Sequence, residues 1–173
     1  MEQSLLWKFL VKLQQWILIA CSIAVVLIMC TGVFFRYVLN ADLYGSEEIV
    51  VIISFWLYFI GSSYGSYDQS HVKADFVSQW LSKKKRQILS IFISLTMLSL
   101  CFLFTYWSVE FIWYSIVEMP RTLVWGIPMA VAHSSVFIGY LLMTFYCAVY
   151  FVREILGYRE LKKKAFFSNH VNK

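Results

Sequence analysis

A single cation, Arg36, precedes a polar turn through Asn40-Ala41-Asp42 and then two adjacent acids, Glu47 and Glu48. Groups of opposite charge this close along the chain could pair with one another, with a partner protein or with lipid phosphate. A second polar cluster, His71-Val72-Lys73-Ala74-Asp75, follows the next apolar run, and His133 lies inside a later one. A bis-histidine haem site needs paired ligands. His71 belongs to a loop and His170 to the tail, so His133 has no mate. It is left with two readings, a hydrogen bond to Ser134, Ser135 or a neighbouring helix, or a place on a transport pathway. Cys21, Cys30, Cys101 and Cys147 fall in apolar runs without C-x-x-C spacing, as expected of buried single thiols rather than metal or redox ligands. No nucleophile–base pair, phosphate loop or metal constellation is visible, so no catalytic residue, metal or cofactor is expected.

The elements that must position these residues are apolar. Of 173 residues 60% are hydrophobic and 14% charged, against about 25% charged in an ordinary soluble domain. Disorder, a secreted disulfide scaffold and a large soluble catalytic domain are all disfavoured. The reading is an all-α integral membrane protein, one four-helix domain over residues 1–173, with spans near residues 16–35, 49–64, 88–107 and 128–152. Each approaches the ~20 residues needed to cross ~30 Å of hydrocarbon. Leu18-Ile19-Ala20-Cys21 looks like a lipoprotein cleavage box, but the apolar run continues to Phe35, so the first span is expected to remain uncleaved. Span two contains Gly61-Ser62-Ser63-Tyr64-Gly65, a G-x-x-x-G pattern that lets another helix approach. Gly126 precedes a turn, and Pro128 suits the first position of span four.

Positive charge orients the bundle. Two Lys precede span one, five Lys or Arg separate spans two and three, and six follow span four; only Arg36 and Arg121 fall on the other side. The positive-inside bias places both termini in the cytoplasm. The net charge of +5 therefore belongs to a membrane surface and not to nucleic-acid binding. Three connecting stretches have helical apolar spacing: Leu6 to Ile17, Val72 to Leu81, and Val152 to Leu156, which extends span four towards Lys162–Lys164. They read as amphipathic helices lying in the interface against membrane lipid, or as docking surface for a partner subunit.

Spans one to three, so bounded, carry no acid in their middles, which leaves no proton- or cation-coupled carboxylate of the kind a self-sufficient small exporter uses. What polar chemistry remains sits at the two ends of span two. Arg36 near the end of span one and Glu47-Glu48 at the start of span two both suit the helix macrodipoles, with Ser46 as the expected N-cap. Helix capping and headgroup contact would account for both ends without further function.

At these residues the sequence resembles the small membrane subunit, the Q subunit, of tripartite ATP-independent periplasmic (TRAP) transporters. The resemblance covers about residues 16–150. Arg36-Tyr37-Val38-Leu39-Asn40 carries it, followed by Glu47-Glu48, Trp56 and Gly61 in an aromatic span. His71-Val72-Lys73-Ala74-Asp75, Gly126-Ile127-Pro128 and Gly139 continue it. Tyr44-Gly45-Ser46 stands where the family often has Trp before the acids. Phe137 occupies a position where it commonly has proline, which removes the cause of a kink in span four.

The resemblance implies a bacterial inner-membrane subunit that braces the scaffold of a large elevator-type permease. The expected partners are that permease, a periplasmic substrate-binding protein and membrane lipid. The implied activity is sodium-coupled import of a carboxylate-bearing solute, of the C4-dicarboxylate or sialic acid class. Arg36, Asn40, Glu47, Glu48, Trp56, Gly61, Gly65, His71, Asp75, Gly126, Pro128 and His133 are then the candidate hairpin or subunit-interface residues. A different class remains open, the membrane anchor or assembly subunit of a redox enzyme; the missing histidine pair weighs against it.

Overall fold

The computed structural model describes residues 5–68 and 83–171. Four helices follow one another, α1 (Leu5–Val38), α2 (Ser46–Tyr67), α3 (Lys83–Val117) and α4 (Ala130–Val171), and each is long and apolar enough to cross a membrane. Both prolines of the chain, Pro120 and Pro128, lie between α3 and α4, so no helix interior loses a backbone donor. At 1.5 Å per residue the 22 residues of α2 span about 33 Å, close to the hydrocarbon thickness. The 34 of α1, 35 of α3 and 42 of α4 extend well beyond it.

That extra length corrects the expected boundaries. The amphipathic stretch from Leu6 to Ile17 is the first part of α1, and the one from Val152 to Leu156 is part of α4. The second extends the fourth span, as its spacing predicts; the first is not a separate interfacial helix, because nothing in the sequence breaks the backbone ladder between it and the span. The third stretch, Val72 to Leu81, lies outside the described residues, as do His71 and Asp75. Helix α3 continues past Trp107 and carries Glu110 on its surface. Helix α4 runs unbroken through Phe137.

The helices form a row in the order α1, α2, α4, α3. Helices α2 and α4 make the centre, where a Cβ on Gly139 would lie 2.7 Å from Phe59 Cβ and 2.8 Å from its carbonyl oxygen. Glycine here is what lets the two backbones meet. At Gly61, by contrast, an added Cβ would meet only Leu18 Cδ2 at 3.6 Å, an ordinary contact. Helix α3 packs on α4, meeting it at Cys101, Thr105 and Ser115; Ser94, Cys101, Ser108 and Ser115 are small residues at successive heptad positions. Ser108 and Ser115 are buried, and Thr105 Oγ1 lies 2.8 Å from Thr144 Oγ1. Hydrophobic burial cannot drive helices together inside lipid, so close packing and such hydrogen bonds hold the row. No residue of the most apolar stretch of α1 or α3 is buried against the chain, compared with 11% for α2 and 22% for α4. The outer helices leave most of their surface for other contacts.

Candidate functional site

The α1–α2 and α3–α4 connections meet at one end of the row. Helix α1 ends where Asn40 takes a left-handed conformation, φ 50°, which asparagine tolerates better than most residues. The amides of Leu39 and Ala41 both donate to Phe35 O, each at 3.2 Å. Asn40 thus has a backbone role in turning the chain. Gly45, at φ 80°, is the N-cap of α2 and makes no side-chain capping bond. Ser46, the expected cap, is instead the first helical residue. The left-handed turn at Gly45 already brings its carbonyl to the Glu48 amide at 3.2 Å.

Between α3 and α4 the chain forms a small hairpin. Met119 turns left-handed at φ 44°, just before Pro120, and α3 ends. Met129 N donates to Pro120 O at 2.8 Å and Thr122 N to Ile127 O at 3.0 Å, with Arg121 and Pro128 bridged antiparallel. Gly126, at φ 63°, makes the turn. Helix α4 starts at Ala130, so Pro128 precedes the helix rather than opening it, and its carbonyl accepts from Val131 N at 3.1 Å.

Glu48 joins the two connections. Its carboxylate oxygens accept the backbone amides of Val124 at 2.7 Å and Trp125 at 3.0 Å, across 76 and 77 residues of sequence. A carboxylate is a strong acceptor, and two successive amides present donors for both of its oxygens. The same loop covers Gly45, where a Cβ would stand 2.1 Å from Trp125 Nε1 and 2.9 Å from Val124 Cγ1. Glycine is required there twice, for its φ and for its lack of a side chain.

Beside this joint lies an open cleft of about 290 Å³, lined by Glu47, Glu48, Val51, Ile52, Arg121 and Met129 among others. Glu47 is exposed at its rim. Leu123, at the hairpin tip, is 98% exposed, and Val124 and Trp125 are also exposed. The charged residues and apolar tip make this a surface suited to contact. No cluster of three or more metal-ligating side chains occurs among the described residues.

Arg36 pairs with Asp42, Nε to Oδ1 at 3.2 Å, with both side chains more than half exposed. The pairing with Glu47 or Glu48 considered from the sequence is therefore corrected. Asp42 is nearer along the same turn, and Glu48 is committed to the far loop. Trp56 reaches from α2 to α4, Nε1 donating to Val131 O at 3.1 Å. His133 Nδ1 is hydrogen-bonded to Ser115 Oγ on α3, with the Phe111 ring centroid 4.1 Å away. Ser134 and Ser135 donate instead to the Val131 and Ala132 carbonyls. Glu47, Glu48, Trp56, Gly126, Pro128 and His133 thus gather toward one end of the row, while Gly61 and Gly65 lie farther along α2.

At the opposite end stands a group that the sequence reading passed over. Gln14 Nε2 donates to Ser63 Oγ at 3.1 Å, and Tyr146 Oη donates to Gln14 Oε1 at 3.2 Å. All three side chains are buried, tying α1 to both central helices, and Trp7 packs edge-on against Tyr146 with centroids 5.3 Å apart. A glutamine at the edge of a long apolar run was the available signal, because a buried amide must find partners.

Known proteins place this architecture. The chain is 26% identical over 103 residues to the sialic acid TRAP transporter permease protein SiaT of Haemophilus influenzae (strain 86-028NP), covering 60% of this chain and 17% of that protein. It therefore spans about a sixth of that relative's length. The family model for the DctQ component of tripartite ATP-independent periplasmic transporters matches residues 25–157, a region that reaches all four helices and both connections of the joint. Four membrane-crossing helices and this match describe a multi-pass protein of the bacterial inner membrane, a transporter component and not an enzyme. The chain belongs to the DctQ component family of tripartite ATP-independent periplasmic transporters.

Proposed function

We propose that this small permease subunit braces the scaffold of a large elevator-type permease during sodium-coupled import of a carboxylate-bearing solute. The observation that carries the reading is the family match across all four helices. The architecture supports it. An elevator needs one part held still in the bilayer while another moves. Here α2 and α4 meet backbone to side chain at Gly139, and Glu48 clamps the two connections together. Exposed apolar surface on α1 and α3 offers area for the large subunit and for lipid.

The distribution of Lys and Arg puts both termini in the cytoplasm and the Glu48 joint in the periplasm. There the cleft and the exposed hairpin tip would meet the large subunit or a substrate-binding protein. The sialic acid in that relative's name makes it the first solute to test, with C4-dicarboxylates second. The deciding experiment is purification from native membranes followed by reconstitution. A large permease should co-purify, and sodium-dependent uptake of labelled solute should need both subunits and the binding protein. Uptake by this chain alone, or purification without a permease, would remove the bracing role. Cysteine labelling near Asp42 and Lys84 tests orientation independently, and a periplasmic Lys84 would invert it.

A further inference from the structure

The α3–α4 seam, away from the Glu48 joint, brings two cysteines together. Cys101 on α3 and Cys147 on α4 place their sulfurs 3.8 Å apart, and all four cysteines of the chain are free thiols. Of these, Cys101 and Cys147 are the pair in contact among the described residues. A disulfide needs ~2.0 Å between sulfurs, so a side-chain rotation or a small helix shift closes the remaining ~1.8 Å. The register that keeps the sulfurs opposite each other is pinned nearby. Thr105 Oγ1 meets Thr144 Oγ1 at 2.8 Å and Tyr140 O at 3.1 Å, and farther along Ser115 is bonded to His133. Both thiols sit within membrane-crossing helices, where water-soluble reductants have poor access and lipid-soluble oxidants accumulate.

We propose that Cys101 and Cys147 form an oxidative modification site, closing to an intramolecular disulfide when a lipid-soluble hydroperoxide reaches the seam. In the first step one sulfur attacks the peroxide O–O bond and becomes a sulfenic acid, and the other peroxide oxygen leaves as an alcohol carrying the thiol proton. The neighbouring sulfur then displaces the sulfenic hydroxyl, which leaves as water with the second thiol proton. Two thiols are oxidised by two electrons, and one hydroperoxide is reduced to an alcohol and water. Among the described helices α3 packs chiefly on α4, so this bond would fix an outer helix of the row covalently to its centre. Reduction by a dithiol would release it.

The test uses the full chain in phospholipid vesicles exposed to cumene hydroperoxide, followed by denaturation, maleimide mass-tagging and intact mass spectrometry. The expected result is loss of two of the four taggable thiols and a mass decrease of two hydrogens. A linked Cys101–Cys147 peptide should appear and vanish with dithiothreitol. The Cys21→Ser/Cys30→Ser chain, which keeps only this pair, should lose both of its taggable thiols and form the same link. Cys147→Ser should form no link and should instead gain oxygen at Cys101. Closure in the folded chain should be at least ~10-fold faster than after unfolding in denaturant, because folding supplies the proximity. In the unsubstituted chain, four taggable thiols after treatment, oxygen addition without a link, or linkage through Cys21, Cys30 or a second copy would each overturn the proposal. So would equal rates in the folded and unfolded chains. If Cys147→Ser does not fold, the Cys21→Ser/Cys30→Ser chain decides alone, since it keeps the native pair.

Discussion

The two ends of the helix row are tied by opposite means. At the loop end one carboxylate, Glu48, takes two main-chain amides beside an open cleft. At the other end Gln14, Ser63 and Tyr146 satisfy one another through side chains alone, enclosed by Trp7 and Tyr67. The difference follows from solvent access. Beside water, a polar contact can be built on backbone donors left free by a turn, since any lapse is hydrated. Within apolar helices each donor and acceptor needs a fixed mate, since an unpaired one has no water to turn to. The loop end can therefore serve as a contact surface, while the buried end can only hold.

Gly45→Val should separate the two ends most sharply. It forces a β-branched residue to φ 80° and drives a side chain into Trp125 and Val124. The left-handed backbone alone costs ~1–2 kcal/mol, and displacement of Trp125 adds to it. Tryptophan emission and thermal unfolding in detergent should both shift, with the buried end unchanged by cross-linking between positions 14 and 63. A native melting curve would mean that the loop does not seat on Gly45.

Next in size is the buried end. Tyr146→Phe removes one donor and leaves Gln14 Oε1 without it, at a cost of ~1–3 kcal/mol by soluble-protein measure and nearer ~1 kcal/mol in lipid. Gln14→Leu with Tyr146→Phe should cost less than the sum of the single changes, because the second change removes a group already orphaned. Strict additivity in unfolding measurements would show that the pair does not interact.

Glu48→Gln, nearly isosteric, should act locally. The amide can accept from one of the two backbone donors but turns its own NH₂ towards the other. We expect faster amide hydrogen exchange at Val124 and Trp125 with little change in overall stability, and weaker retention of a large permease if the joint is a docking surface. Exchange at wild-type rates would mean the carboxylate is a bystander.

Arg36→Ala should have the smallest effect on stability. Its bond to Asp42 is an exposed ion pair, worth ~0–1 kcal/mol and weakened by salt. Asp42→Ala should match it in unfolding measurements. Arg36→Ala reducing transport more than Asp42→Ala would assign the guanidinium a partner outside this chain.

Much of the fold was legible along the sequence. Four apolar runs, each near or above bilayer length, and prolines confined to one connection leave little alternative to four membrane-crossing helices. Their true lengths were less legible, because amphipathic residues continue a helix as readily as they form a separate one. At the site, Glu48, Gly126 and Pro128 stood out by type, while Trp125 and Gly45 did not. Trp125 matters only because the hairpin lays it across Gly45, and Gly45 reads as an ordinary turn glycine until its neighbour is seen. The serines and cysteine of α3 at heptad spacing could have been found by a search for small residues at that period.

What the sequence determined by itself is what depends on local composition and hydrogen bonding within a segment. That covers, among the described residues, the four membrane-crossing helices and the absence of a break inside them. The tertiary structure alone decided which helices form the centre, that Gly139 rather than Gly61 marks the tight approach, and that Arg36 bonds to Asp42 while Glu48 reaches Val124 and Trp125. Backbone helices satisfy themselves within a few residues, so local sequence suffices for them. A carboxylate takes whichever donors packing brings within ~3 Å, and that distance is set by the arrangement of all four helices together.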